Sequence, residues 1–316
     1  MANLYATLSN GGKIPLIGLG TWQKSAARDV ELAVKAAIDT GYRHIDCAYL
    51  YQNEKEIGDA LKEIFQAEKV KREDLYITSK LWGTFHRPDK VEHAIRLCLK
   101  NLQLDYLDLY LIHSPMAAYY KSDSELLPTK EDGKPYFEDV KLADTWRAME
   151  TLVQKGLTKS IGVSNFTVSQ LNEILPTAKV PCVMNQIENH PFLDQKELIN
   201  FCKSKNIGVT AYCPLVSPCS PWVTDKDPKH LQDPVVMILA DSKGCTAAQV
   251  LIAYNVSQCI VCVPKSVNSS RIKENFKSYD VELRDEEIQK LDALASGFKA
   301  CTFDFWKDHA NYPFQK

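Results

Sequence analysis

Long hydrophobic runs are missing from this chain: none of its 316 residues belongs to a stretch that approaches the ~20 consecutive apolar residues of a membrane-spanning helix. The opening MANLYATLSNGGK lacks the basic-then-apolar order of a secretory signal. These two absences predict a soluble, cytoplasmic protein. Charge of one sign is also scarce. With 38 Lys+Arg against 40 Asp+Glu, the formal net charge of −2 provides no broad basic field for nucleic acid or an anionic membrane, so any anion site must be local. The histidines show no H-x-x-x-H spacing, and no metal is predicted. The dinucleotide fingerprint G-x-G-x-x-G is absent as well, since the first apolar run leads into Gly18-Leu19-Gly20-Thr21-Trp22.

Ten cysteines are present but scattered, which in a chain of this size argues for reduced, mostly buried thiols rather than a disulfide framework. Cys259 and Cys262 form a C-x-x-C inside CIVCVPKS, which reads as a strand. Residues three apart on a strand point to opposite faces, so no metal or redox pair is expected there.

Apolar residues make up 45% of the chain, enough for a large core. Eight buried-strand patterns run over 14–21, 43–48, 75–81, 107–113, 160–165, 183–188, 208–214 and 259–265. Helical patterns fall between and after them, near 26–40, 53–69, 88–102, 141–155, 167–175, 195–205, 246–256 and 269–279, with a further helix near 284–295. Near-continuous apolar strands alternating with helices imply a parallel sheet covered by helices, and eight such units predict an α/β fold of the (β/α)8 barrel type, one domain spanning 1–316. A doubly wound sheet is the alternative, weakened by the missing glycine fingerprint. Ser9-Asn10-Gly11-Gly12 predicts a small hairpin ahead of the first barrel strand. Loops at 114–139 and 215–232 and the unpatterned segment from 296 to 316 are candidate pocket walls, because strand-following loops lie on the active face of such barrels.

Four residues at or just past predicted strand ends, Asp46, Tyr51, Lys80 and His113, suit proton transfer to a carbonyl. A tyrosine hydroxyl titrates near pH ~10, and a neighbouring cation makes it a better acid by favouring the phenolate. Lys80 can be that cation, Asp46 can keep it charged, and His113 can orient a substrate carbonyl. Each residue alone reads more simply as a loop aromatic, a solvated strand end, a core histidine or a turn former. Their coincidence at equivalent strand ends favours the site.

The stretches GLGTW (18–22), GYRHIDCAYLYQNE (41–54), ITSKLW (77–82), LYLIH (109–113), IGVSNF (161–166), NQIENHP (185–191), VTAYCPL (209–215), VPKSV (263–267), RIKENF (271–276) and YPF (312–314) follow one another in order. They resemble the aldo-keto reductase superfamily, in particular its aldose and aldehyde reductase branch. The resemblance implies a single-domain, monomeric barrel that binds NADPH/NADP+ across its C-terminal face and reduces small-molecule carbonyls, without nucleic-acid or membrane partners. It places Tyr51 as proton donor, Lys80 and Asp46 as its charge pair and His113 as the carbonyl-orienting histidine. Gly20, Thr21, Trp22 and Asp46 fall on cofactor positions, as do Ser164, Asn165 and Gln186 for the carboxamide, Tyr212 for stacking on the nicotinamide, and Leu215 and Ser217 beyond it. Lys265, Ser266 and Arg271 match the 2′-phosphate positions, and Glu274 and Asn275 those near the adenine. Cations beside a helix start form a sound anion site on physical grounds too.

Trp22, Leu50, Tyr51, Trp82, His113, Ser114, Trp222, Cys301 and Phe303 fall on substrate-pocket positions, and Cys301 matches a redox-sensitive cysteine of some members. Two departures stand out: Ser114 replaces a tryptophan, which should widen the pocket, and Val216 and Cys219 replace a glycine and an aspartate of a cofactor-covering loop, which should speed cofactor release. Tyr119, Tyr120 and Phe137 are further possible pocket contacts. Relatives that reduce steroid-like enones carry glutamate in place of the histidine, so His113 argues against that activity. A binding or structural protein that merely keeps the cofactor site is the reading from another class.

Overall fold

The computed structural model describes residues 4–22, 27–216 and 229–314. At its N-terminus, β1 (Tyr5–Thr7) and β2 (Lys13–Pro15) pair antiparallel around the turn predicted at 9–12, with Gly11 at φ +83°. Eight strands then run parallel in sequence order: β3 (Leu19–Gly20), β4 (His44–Asp46), β5 (Tyr76–Leu81), β6 (Leu107–Ile112), β7 (Thr158–Ser164), β8 (Cys182–Glu188), β9 (Gly208–Tyr212) and β10 (Val261–Cys262). Parallel bridges Ile17↔Cys262 and Gly20↔Lys265 join the last strand to the first and close the barrel. Gly20 is required at that seam, since a Cβ there would lie 2.6 Å from the Val263 carbonyl oxygen.

Among the described residues ten α-helices follow the strands or extend the outer layer: α1 (Ala27–Thr40), α2 (Glu54–Gln66), α3 (Pro88–Leu102), α4 (Leu142–Gln154), α5 (Val168–Ile174), α6 (Lys196–Ser204), α7 (Pro234–Lys243), α8 (Ala247–Val256), α9 (Ser269–Phe276) and α10 (Asp285–Asp292). Strand residues alternate as the two-residue period demands. Tyr110 and Ile112 join the outer core beneath the helices, while Leu109 and Leu111 join Leu8, Ile14, Leu16 and Met184 in a separate cluster that fills the barrel and brings in the hairpin as its plug. No single described helix is long and apolar enough to cross a membrane; α7 and α8 pass that test only together, bent by 89°.

Three expectations change. The strand expected over 14–21 divides, its start pairing in the hairpin and only Leu19–Gly20 entering the barrel. The strand expected over 259–265 shrinks to Val261–Cys262, and Cys259 lies before it at φ +58°. Cys259 is exposed and Cys262 buried, so it is a turn, rather than strand alternation, that separates these thiols. Helix α7 was not anticipated, because PVVMILA lacks helical periodicity. Its ends are nonetheless marked: Asp233 accepts from the Val235 and Val236 amides, Pro234 opens the helix and Gly244 closes it at φ +61°.

Candidate active site

The C-terminal ends of the strands gather the predicted residues. Asp46 ends β4 and Lys80 lies on neighbouring β5, and both face into the barrel above His44 and Thr78, which share a 3.1 Å hydrogen bond. The Lys80 ammonium, fully buried, donates to Asp46 Oδ1 at 2.5 Å and to the Cys47 carbonyl at 2.8 Å. Across the barrel, Gln186 Nε2 donates to Asp46 Oδ2 at 2.8 Å. A buried pair of this kind persists only when its remaining polar atoms are satisfied, and here β8 supplies the missing donor.

Tyr51 ends a short turn, Tyr49–Tyr51, that follows β4, and Gln52 leaves that turn at φ +54°. Lys80 Nζ stands 5.3 Å from the Tyr51 ring centroid, and the His113 ring meets Tyr51 edge-on at 5.7 Å. Burial, followed by the charge of Asp46, pushes the Tyr51 hydroxyl well above its ordinary range. Burial of the hydroxyl therefore outweighs the expected phenolate-favouring effect of Lys80. Tyr51 stays protonated at neutral pH. Burial, then the charges of Lys80 and His86, hold His113 well below its usual value, so its imidazole is neutral. Among the described residues no group hydrogen bonds its buried Nδ1.

An aromatic wall stands over this floor. Trp82, just past β5, donates from Nε1 to the Leu126 carbonyl at 2.6 Å and meets His113 edge-on at 5.3 Å. It stacks on Trp306 at 4.8 Å and on Phe303 at 6.2 Å. Phe303 also faces His113 at 6.1 Å, and its backbone is left-handed at φ +52°. Leu50 and Trp22 are half-buried nearby in sequence to the floor residues, and Trp222 lies outside the described residues.

Ser114 is fully buried, with its hydroxyl accepting from the Met116 amide at 3.4 Å. Tyr119 stacks on Tyr136 and Tyr120 packs on Phe85, while Phe137 reaches the wall through Trp306 and His309. Cys301 is half-buried, and burial, with Cys213 and Glu188 nearby, pushes its thiol well above the ordinary range; a thiol held protonated is a poor nucleophile.

The expected cofactor positions form a track along the rim. Ser164 Oγ donates to the Gln186 carbonyl at 2.9 Å, Asn165 Nδ2 donates to the His113 carbonyl at 2.9 Å, and Tyr212 OH donates to Asn165 Oδ1 at 2.7 Å. Thr21 Oγ1 donates to the Asp46 carbonyl at 2.8 Å, which ties β3 to the floor. Leu215 is half-buried; Ser217 and Cys219 lie outside the described residues. Val216 adopts φ +53°, a conformation that is costly for a β-branched residue and natural for glycine.

At the far end of the track, Lys265 and Arg271 are exposed where β10 leads into α9. Asn268 caps that helix by accepting from the Arg271 amide at 3.1 Å, Ser266 Oγ accepts from the Asn268 amide at 3.1 Å, and Glu274 is tied to Thr246 Oγ1 at 2.9 Å with Asn275 buried beside it. Two cations, a hydroxyl and a helix start fit a phosphate monoester. A flat tyrosine ring fixed by its hydroxyl, beside amide and hydroxyl side chains, fits a nicotinamide.

Nine non-glycine residues in the described chain have positive φ, and they fall into two groups. Glu68, Gln103, Asn206 and Cys259 follow helix ends, where such a residue terminates the helix. Gln52, Asn165, Cys213, Val216 and Phe303 surround the site, and strain of this kind concentrates at functional positions. The sequence had not singled out Glu188 or Trp306. Glu188 was readable in part, because it follows Gln186 by two residues on a strand and so shares its inward face. Trp306 lies in a segment without periodicity and gave no signal.

The sequence profile of the Aldo/keto reductase family matches residues 16–296, and the chain belongs to that family. Among its relatives are Aldo-keto reductase family 1 member A1-A of Danio rerio, 49% identical over 91% of this chain and 88% of that protein, and Aldo-keto reductase family 1 member A1 of Homo sapiens, 44% identical over 95% and 91%. The solved structure of the aldose reductase from Schistosoma japonicum superposes with a TM-score of 0.92 at 41% identity, over 99% of each chain.

Proposed function

We propose that this chain, as one barrel unit over 1–316, reduces small aldehydes and ketones to alcohols with NADPH, Tyr51 giving the proton. The observation that carries this reading is the buried Asp46–Lys80 pair beneath a protonated Tyr51 and a neutral His113. NADPH, when bound, supplies a hydride to the carbonyl carbon. Ser164, Asn165 and Gln186 would hold its carboxamide, Tyr212 its ring, and Lys265, Ser266 and Arg271 its 2′-phosphate.

The chain's own residues do the rest. His113, neutral and able to donate, orients the carbonyl oxygen, and Tyr51 transfers its proton to that oxygen as negative charge grows there. Loss of the proton leaves a phenolate beside Lys80, and the ammonium, anchored on Asp46, stabilises it at that moment. The enclosing aromatic wall keeps the site poor in water, which strengthens these interactions. Mixing purified protein with NADPH and short, aromatic and sugar aldehydes should lower the nicotinamide absorbance, with NADH much less effective. Tight NADPH binding without turnover of any carbonyl would instead identify a cofactor-binding protein that is not an enzyme.

A further inference from the structure

We infer that Glu188, which lies outside the reacting cluster, is a positioning residue that sets the substrate-side wall by clamping the C-terminal segment over the barrel mouth. The inference rests on the carbonyl-reductase reading for its substrate effects but not for its geometry. Glu188 ends β8, is 3% exposed, and stands two residues beyond Gln186 on the same inward face. Its carboxylate accepts from three donors. The Ala300 amide donates to Oε1 at 2.6 Å, the Cys301 amide to Oε2 at 2.9 Å, and His190 Nε2 to Oε1 at 2.8 Å.

Two successive amides of a distant segment are thereby fixed to one strand end by charge-assisted bonds. The next residue is fixed as well, since Tyr312 OH donates to the Thr302 carbonyl at 2.7 Å. The chain then enters Phe303 at φ +52° and lays its ring against Trp82 and His113. A phenylalanine holds that backbone only when its neighbours over-determine it, and here the preceding three residues are all anchored. Glu188 and the neighbouring Lys299 also line a cavity of about 460 Å³ between the start of α5, the start of α6 with the residues just before it, and Phe314, so a released segment has room to move. Glu188 thus acts on substrates through Phe303.

The test compares wild type, Glu188→Gln, Phe303→Ala and the double variant with NADPH and two substrates, a three-carbon aldehyde and a bulky aromatic aldehyde. Glu188→Gln should raise KM for the aromatic aldehyde about tenfold, while kcat and the KM of the short aldehyde stay within about twofold. In the Phe303→Ala background the same change should do nothing further. An equal KM rise for both aldehydes, or a full Glu188 effect without the Phe303 ring, would overturn the inference. Hydrogen exchange provides a readout independent of turnover: the amides of Ala300 and Cys301 should lose protection in Glu188→Gln while those of the barrel strands keep theirs. Protection unchanged at both amides would also overturn it. If the wild type reduces no carbonyl, the reductase reading fails, and exchange still decides the clamp.

Discussion

At the floor of the site, Asp46, Lys80 and Gln186 stand on strands whose positions are set by ladders of backbone hydrogen bonds, and Asp46 is matched by Lys80 on the neighbouring strand and by Gln186 from across the barrel. The wall is assembled differently. Trp82, Leu126, Phe303 and Trp306 come from loops and from the C-terminal segment, and they meet through ring stacking and single side-chain to backbone bonds. The floor cannot shift without breaking the sheet, whereas the wall is held by separate side-chain anchors that can be removed one at a time. Reaction chemistry on the floor and substrate choice at the wall are therefore separable by mutation.

The sharpest break of that comparison is Tyr51→Phe, which removes the acid but leaves the pocket shape. Its kcat for any aldehyde should fall by about a hundred- to ten-thousand-fold with NADPH affinity intact, as measured by steady-state rates and fluorescence quenching. Lys80→Met tests whether the floor is also structural. It strands the Asp46 carboxylate inside the barrel and should cost about 3–5 kcal/mol in urea unfolding, whereas removing both charges together should cost less. Arg271→Ala acts at the far rim, away from floor and wall, and should weaken NADPH binding about tenfold while leaving NADH binding unchanged.

The smallest expected effect concerns pH. Burial lowers His44, under the floor, to about 4 and His86, just beyond Trp82 in sequence, to about 3, from an ordinary 6.5. Because these folded-state values are depressed, their contribution is fully present above pH 6.5 and is lost as pH falls toward 4. The melting temperature should drop by a few degrees over that window, and His86→Gln should shallow the slope.

The floor was legible in the sequence because strand ends are local signals: an apolar run, a polar residue after it, then a helix. The wall was legible only as a set of loops, since nothing in residues near 303 announces a partner at Trp82 or at the end of β8. Periodicity also misled where the chain was apolar on all sides. PVVMILA forms a helix because Asp233, Pro234 and Gly244 mark its ends, and those end signals carried the information that the apolar pattern lacked. Lys80 was expected to favour the Tyr51 phenolate, with Asp46 holding the ammonium in place. What the sequence could not show is the burial of the hydroxyl, which outweighs the ammonium and keeps the proton on Tyr51.

The seam that closes the barrel has a consequence for how the protein is made. Gly20 leaves the ribosome early and must wait for Lys265 before its edge is covered, and at about 5–20 residues per second that interval lasts many seconds. Throughout it, β3 and whichever strand was synthesised last present open edges, the condition in which chains pair with one another. A nascent chain stalled before Val261 would keep that hazard indefinitely, so ribosome pausing late in the message should be followed by aggregation, and chaperone demand should peak just before the barrel closes.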